Sequence, residues 1–138
     1  MKKIFFIVIV LITFSSNAFS QVFNWHKYNI TANNDTEIYY DKKTIFQVGS
    51  YKFYWVLTNF LKNVEGDNFS SIGHHMANCK TNEVKMITFT FFDGLMGKGN
   101  VNYDFIDPEE YPEKFKWEHY DPKTTIYGGM LEEICNFK

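Results

Sequence analysis

The sequence predicts an α+β fold, an antiparallel β-sheet meander with one C-terminal α-helix packed on a face of the sheet. Three observations carry this. Residues 51–57 and 83–92 alternate with a period of two, and turn residues separate successive apolar runs at short intervals. Fifteen Phe, nine Tyr and three Trp make up 20% of the 138 residues, a composition that suits half-buried strands. Helical periodicity appears only at the end of the chain, from Ile126 onward.

The chain opens with Lys2 and Lys3, an apolar run over residues 4–14 broken only by Thr13, and then small and polar residues up to Ser20. This is the layout of a secretory signal peptide, with Ala18 and Ser20 at the small-residue positions before the cut. The run is shorter than the roughly 17–25 residues a spanning helix needs. Residues 1–20 are therefore read as a signal peptide and residues 21–138 as a single exported domain with no integral membrane segment after cleavage. Losing both lysines takes the net charge from −2 to −4.

Along the mature chain, residues 25–31 read as a first strand and residues 32–35 (Ala-Asn-Asn-Asp) as a turn. Residues 37–41 form a short strand. Lys42-Lys43 turn the chain into residues 44–48, and Gly49-Ser50 precede the strand at 51–57. There Phe53, Trp55 and Leu57 share one face, and Lys52, Tyr54 and Val56 the other. Residues 63–68 read as a loop, 70–79 as a strand and 80–82 as a turn. In residues 83–92, strict alternation puts Lys85, Ile87, Phe89 and Phe91 on one face. A glycine-rich connection leads to a strand at 101–104, a proline-broken acidic loop runs to Lys116, and residues 117–120 return to the sheet. Five to seven strands are expected in all.

In the last segment, a step of about 100° per residue places Ile126, Met130, Ile134, Tyr127, Leu131 and Phe137 on one side, with Cys135 at its edge. Thr124 or Thr125 can cap the start. Gly128 and Gly129 each cost about 1 kcal/mol relative to Ala. Such a helix is marginal alone and depends on packing.

Cys79 and Cys135 are the only cysteines, and an even pair in an exported chain reads as a disulfide. It would pin the helix to a sheet strand, and loop closure of this length is worth roughly 4 kcal/mol in the chain-entropy account. Neither belongs to a C-x-x-C pair, so no redox role is read.

Other candidate sites have plainer readings. His74-His75 looks like a metal pair, but adjacent residues of a strand point to opposite faces. Asp104, Asp107, Glu109, Glu110 and Glu113 offer oxygen ligands for calcium but lack EF-hand spacing, and a solvated acidic loop is the reading taken. Met96-Gly97-Lys98-Gly99 precedes a strand and not a helix, so a hairpin turn is favoured over a phosphate cradle. Asn29, Asn34 and Asn68 head N-x-S/T sequons. All fourteen basic residues are Lys, and an acidic chain without Arg or a polybasic run suits neither nucleic acid nor an anionic membrane surface. No G-x-S-x-G, H-E-x-x-H or cofactor motif is present, so no catalytic residue, metal or cofactor is assigned and the chain is read as a non-enzyme.

The layout resembles the surface-adhesin protein E family. The residues that carry the resemblance are Trp25, Ile38-Tyr39-Tyr40-Asp41, Thr44-Ile45, Phe53-Tyr54-Trp55-Val56-Leu57, Ser70-Ser71 leading to Cys79, Met96-Gly97-Lys98-Gly99-Asn100-Val101, and Trp117, Pro122 and Thr124 leading to Cys135. The resemblance implies a sheet with a disulfide-tethered helix and an adhesin-like protein that contacts host or envelope proteins, with homodimerisation a further expectation. No lipidation cysteine follows the apolar run, so periplasmic residence stands beside secretion or surface display. The alternative function is a periplasmic structural or housekeeping protein that binds a small apolar ligand between sheet and helix.

Cleavage is expected after Ser20, with Ala18 as the second choice. Intact-mass measurement on exported protein checks this, and a mature chain that keeps Met1 refutes it.

Overall fold

The computed structural model describes residues 22–30, 34–64, 67–105 and 107–138. The expected signal segment and its cleavage point lie outside the described residues, as do residue 31 at the end of the expected first strand, residues 32 and 33 of the first turn, and Gly66. The described residues form strands β1 (Trp25–Ile30), β2 (Thr36–Asp41), β3 (Phe46–Val48), β4 (Tyr51–Val64), β5 (Asn68–Asn78), β6 (Glu83–Phe92), β7 (Val101–Phe105) and β8 (Trp117–His119), and helix α1 (Ile126–Asn136).

All pairings are antiparallel, in the order β1-β2-β4-β5-β6-β7. β3 pairs with the first residues of β4 and β8 with the first residues of β6. The count of eight exceeds the expected five to seven because these two three-residue strands extend edges already begun by β2 and β7.

The alternation in β4 decides the two faces. Tyr54 and Val56 turn toward α1 and meet Ile38 and Tyr40 of β2, Ala77 of β5 and Val84 of β6. Met130, Leu131 and Ile134 of α1 close this core, with Ile126, Tyr127 and Cys135 packed at its margin. That is the side of the helix the 3.6-residue period selects.

β6 departs from strict alternation. His74 pairs with Thr88 but His75 pairs with Met86, so Ile87 is the extra residue of a bulge. Val84 and Met86 therefore lie on the same face as Phe89 and Phe91, where the four line one cleft. An uninterrupted period of two assigns these residues to opposite faces, and a bulge leaves no mark in that pattern.

Several contacts hold α1 in place. Thr125, not Thr124, is the N-cap, and its Oγ1 accepts from the Gly128 N–H at 2.9 Å. At the other end Lys52, only 8% exposed, donates from Nζ to the Ile134 carbonyl at 3.1 Å and to the Phe137 carbonyl. A lysine on the helix-facing side of a strand thus places a positive charge at the C-terminal end of the helix, sharing the Ile134 carbonyl with the Phe137 N–H. The Tyr40 hydroxyl donates to Glu133 Oε2 at 2.9 Å. The glycines that weaken the helix permit its seat. A Cβ on Gly128 would fall 2.1 Å from the Asp121 carbonyl oxygen, and one on Gly129 2.6 Å from the Tyr28 hydroxyl.

Cys79, just past β5, is bonded to Cys135 of α1 across a sequence separation of 56. At 1.5 Å per residue the eleven-residue helix is about 16 Å long. The fourteen-residue β4 is about 46 Å long. The helix therefore covers one end of one face and leaves the rest to other devices.

Replacing Cys79→Ser together with Cys135→Ser is expected to cost about 2–5 kcal/mol, a fall in melting temperature of the order of 10 °C or more. Hydrogen exchange should show residues 126–136 loosening first. Equal protection of α1 in both proteins would mean that packing alone holds the helix.

Candidate functional site

The face opposite α1 is divided in two. Over the distal half of β4 it is sealed by the connection between β6 and β7. Ser70, fully buried, donates from Oγ to the Gly94 carbonyl at 2.5 Å and accepts from the Gly97 N–H at 2.9 Å. Asn59 Oδ1 accepts from the Met96 N–H at 2.8 Å. Met96 and Gly97 both have positive φ. A Cβ on Gly97 would stand 2.4 Å from Ile72 Cδ1, so glycine serves both the left-handed backbone and the close approach. The N–H groups of Met96, Gly97 and Lys98 are all bonded within the fold. The segment is therefore a turn that covers Leu57 and Ile72, and not a phosphate cradle.

Beside it sits Glu37, which accepts from Lys27 Nζ at 2.5 Å, the Tyr39 hydroxyl at 2.8 Å and Asn59 Nδ2 at 3.2 Å. The Lys27 bond first, then those from Tyr39 and Asn59, pull its carboxyl down to about 2.

Over the proximal half of β4 the same face carries a contiguous array of aromatic rings. Phe23 stacks on Trp25 with centroids 4.5 Å apart and meets Trp55 at 5.3 Å. Trp55 stacks on His74 at 4.5 Å. Phe53 lies 6.1 Å from His74 and 4.9 Å from Phe46. Tyr51 and Trp117 continue the surface at 5.9 Å. Phe46 is 50% exposed, Val48 58%, Trp117 39% and Tyr51 38%. Aromatic and aliphatic side chains are thus left open on the face that α1 does not cover.

The histidines separate as the strand geometry requires. His74 joins the aromatic array, while His75 faces the other way, 5.4 Å from Tyr54. Burial lowers the proton affinity of both, and burial followed by repulsion from His74 takes His75 down to about 4. The two do not converge on one point. The carboxylates of the 104–113 segment are exposed and serve local bonds: Thr90 donates to Asp104 at 2.6 Å, and Asp107 accepts from the Glu109 N–H at 2.8 Å. Among the described residues no group of three or more His, Cys, Asp or Glu side chains is placed to hold a metal ion. Of the sequon residues, Asn29 and Asn34 are exposed but Asn68 is buried. On the α1 side, beyond the end of the helix, a cleft of about 250 Å³ opens over Phe60, Phe89 and Phe91.

A sequence model of the family described as Surface-adhesin protein E matches residues 25–136. The chain belongs to the surface-adhesin protein E family. Its fold is similar to that of protein E of Haemophilus influenzae. One crystal form of that protein aligns with a TM-score of 0.56 and 19% identity over 80% of this chain and 88% of the other. Its selenomethionine form gives 0.54 and 17% over 80% and 87%, and protein E from the non-typeable bacterium gives 0.53 and 17% over 79% and 74%. Among curated proteins no sequence matches. Membership implies an extracytoplasmic, adhesin-like surface protein, and the family suggests a non-enzyme. Among the described residues no helix is long and apolar enough to cross a membrane.

Several residues that carry the family pattern are structural. Asp41, buried, accepts from the Asn24 and Lys43 N–H groups, each at 2.9 Å, and its carbonyl accepts from the Thr44 hydroxyl at 2.8 Å. The aromatic array was only partly legible. The alternation of Phe53 and Trp55 points to it, but nothing local brings Phe23, Trp25, Phe46 and Trp117 to the same surface.

The pH dependence of stability follows from the two shifted groups. Glu37, ordinarily near 4.5, stabilises the fold fully above that value, and the contribution is lost as pH falls toward about 2. His75 is neutral in the fold, so its contribution is lost as pH falls from about 6.5 to about 4. Glu37→Gln should lower the melting temperature at neutral pH and flatten its decline below pH 4.5, leaving the decline above it. Thermal melts across pH 2–7 check this.

Proposed function

We propose that residues 21–138, released from the signal segment, act as an exported, non-enzymatic binding domain that grips another protein through the aromatic end of its open face. The aromatic array carries this reading. Trp and Tyr dominate the energetics of protein interfaces because they bury large areas with few rotatable bonds. Here they stand on a rigid antiparallel sheet, ring against ring, and are ordered before any partner arrives. Family membership supports the adhesin-like role, with host or envelope proteins as partners. A second copy of the chain on the same face, or along the β1 or β7 edge, is the related expectation.

A second reading is kept because of the cleft beside α1: a periplasmic protein that holds a small apolar ligand. Access of protease or antibody to the domain on intact cells separates surface display from periplasmic residence.

The test is a binding titration of the mature domain against host matrix proteins and envelope proteins of its own cell, run with Phe46→Lys and Trp117→Lys. Both residues are partly exposed, and the melting temperature of each variant reports whether it keeps the fold. Affinity should fall at least tenfold, since an interface aromatic is worth about 2 kcal/mol or more. Sedimentation of the same proteins reports any dimer on this face. A folded domain that binds none of the panel, or binds equally well in both variants, overturns the proposal.

A further inference from the structure

We infer that the cleft beside α1 is a binding site for a slim anionic amphiphile, a free aliphatic monocarboxylate whose tail lies over the sheet and whose head group meets Lys114 and Lys116. The inference rests on the small-ligand reading of the cleft and is independent of the aromatic face, which lies on the other side of the sheet.

The floor of the cleft has a structural cause. Gly73 pairs with Val56 on one side and with Phe89 on the other, at the centre of the sheet. Having no side chain, it leaves room for the His75 ring, whose Nε2 would lie 2.8 Å from a Cβ there. Phe60, Met86, Phe89 and Phe91 surround this floor, and α1 closes one end with Met130 and Tyr127. The helix is too short to reach farther, so these rings are left with a lining and no lid. At about 250 Å³ the space is smaller than the roughly 300–1,000 Å³ of drug-sized sites. It suits a chain and not a fused ring system.

Charge selects the head group. The charged side chains that line the cleft are Lys114, Lys116 and Glu118. Glu118 already accepts from the Tyr120 hydroxyl. Neither lysine has an ion-pair partner among the described residues. Phe115, between them in sequence, is buried and anchors the segment, so both lysines are held at the margin of the cleft. His75, held neutral by burial, adds no charge to the floor. The rim is thus net positive on a domain whose net charge, once Lys2 and Lys3 are lost from the −2 of the full chain, is −4. An apolar floor with a cationic lip is complementary to a carboxylate on an aliphatic tail.

The experiment titrates the mature domain with decanoate, 1-decanol and decyltrimethylammonium, followed by calorimetry and by amide NMR. Decanoate should bind most tightly and shift the amides of Gly73, Phe89 and Phe91. Octanoate should bind about tenfold or more weakly, since each buried methylene is worth about fourfold. Lys114→Gln with Lys116→Gln should weaken decanoate at least fivefold and leave 1-decanol unchanged. Ser71→Leu should fill the cleft and reduce both, and the melting temperature reports whether that variant folds. If 1-decanol matches decanoate in the wild type, the cleft holds an apolar ligand and the anionic assignment falls. If none of the three binds, or the shifts appear at Phe46, Phe53 and Trp55, the site itself is refuted.

Discussion

One short helix has to seal a sheet much larger than itself, and the rest of the molecule follows from that mismatch. An eleven-residue cylinder about 16 Å long meets a strand of about 46 Å. It can cover Ile38, Tyr40, Tyr54, Val56, Ala77 and Val84 but not Phe60 and Phe91, which line an open cleft together with the buried Phe89. On the opposite face the β6–β7 connection seals the other end, over Leu57 and Ile72. Each end of the sheet is therefore covered on one face and open on the other. The two uncovered quarters are the cleft and the aromatic array.

A helix with two glycines in its first turn does not form reliably on propensity alone. Its seat requires Gly128, because the backbone carbonyl of Asp121 occupies the space a methyl group would need, and Gly129 makes room for the Tyr28 hydroxyl. The lost propensity is offset from outside the helix. Loop closure by the Cys79–Cys135 bond is worth roughly 4 kcal/mol. Lys52 supplies donors to the last-turn carbonyls, Thr125 caps the first turn, and three apolar residues are fully buried. Of these only the covalent bond also restricts the unfolded chain, which gives it the greatest leverage in an oxidising compartment.

The open array is stable without a lid for a related reason. Its rings satisfy one another by stacking, as in Trp55 on His74 and Phe46 on Phe53. The same sheet is tied at its other end by the bonds of Asn59 and Ser70 to the connecting turn and by the Glu37 cluster. Rings already packed against one another lose less side-chain freedom when a partner covers them. The family's adhesin character and the physics of the patch point the same way, and the cleft on the reverse side is free to serve a different ligand.

The sequence by itself determined the elements whose evidence is local. Period-two alternation located the first half of β4, residues 51–57, although the strand runs on to Val64 through residues 63 and 64 that read as loop. The 3.6-residue period picked out Met130, Leu131 and Ile134, and an even cysteine pair behind a signal segment implied the crosslink. The turn at Gly97 was legible as a turn. That it lands on Asn59 and Ser70 was not, because those contacts join residues 37 and 27 positions apart. Nor was the bulge at Ile87, which moves Val84 and Met86 to the face of Phe89 and Phe91. Above all, aromatic content could not say which rings were surplus to the core. That depends on how much area one helix covers and which strand ends it leaves bare. Only the tertiary arrangement decides it, because burial is a property of opposed surfaces and not of any single strand.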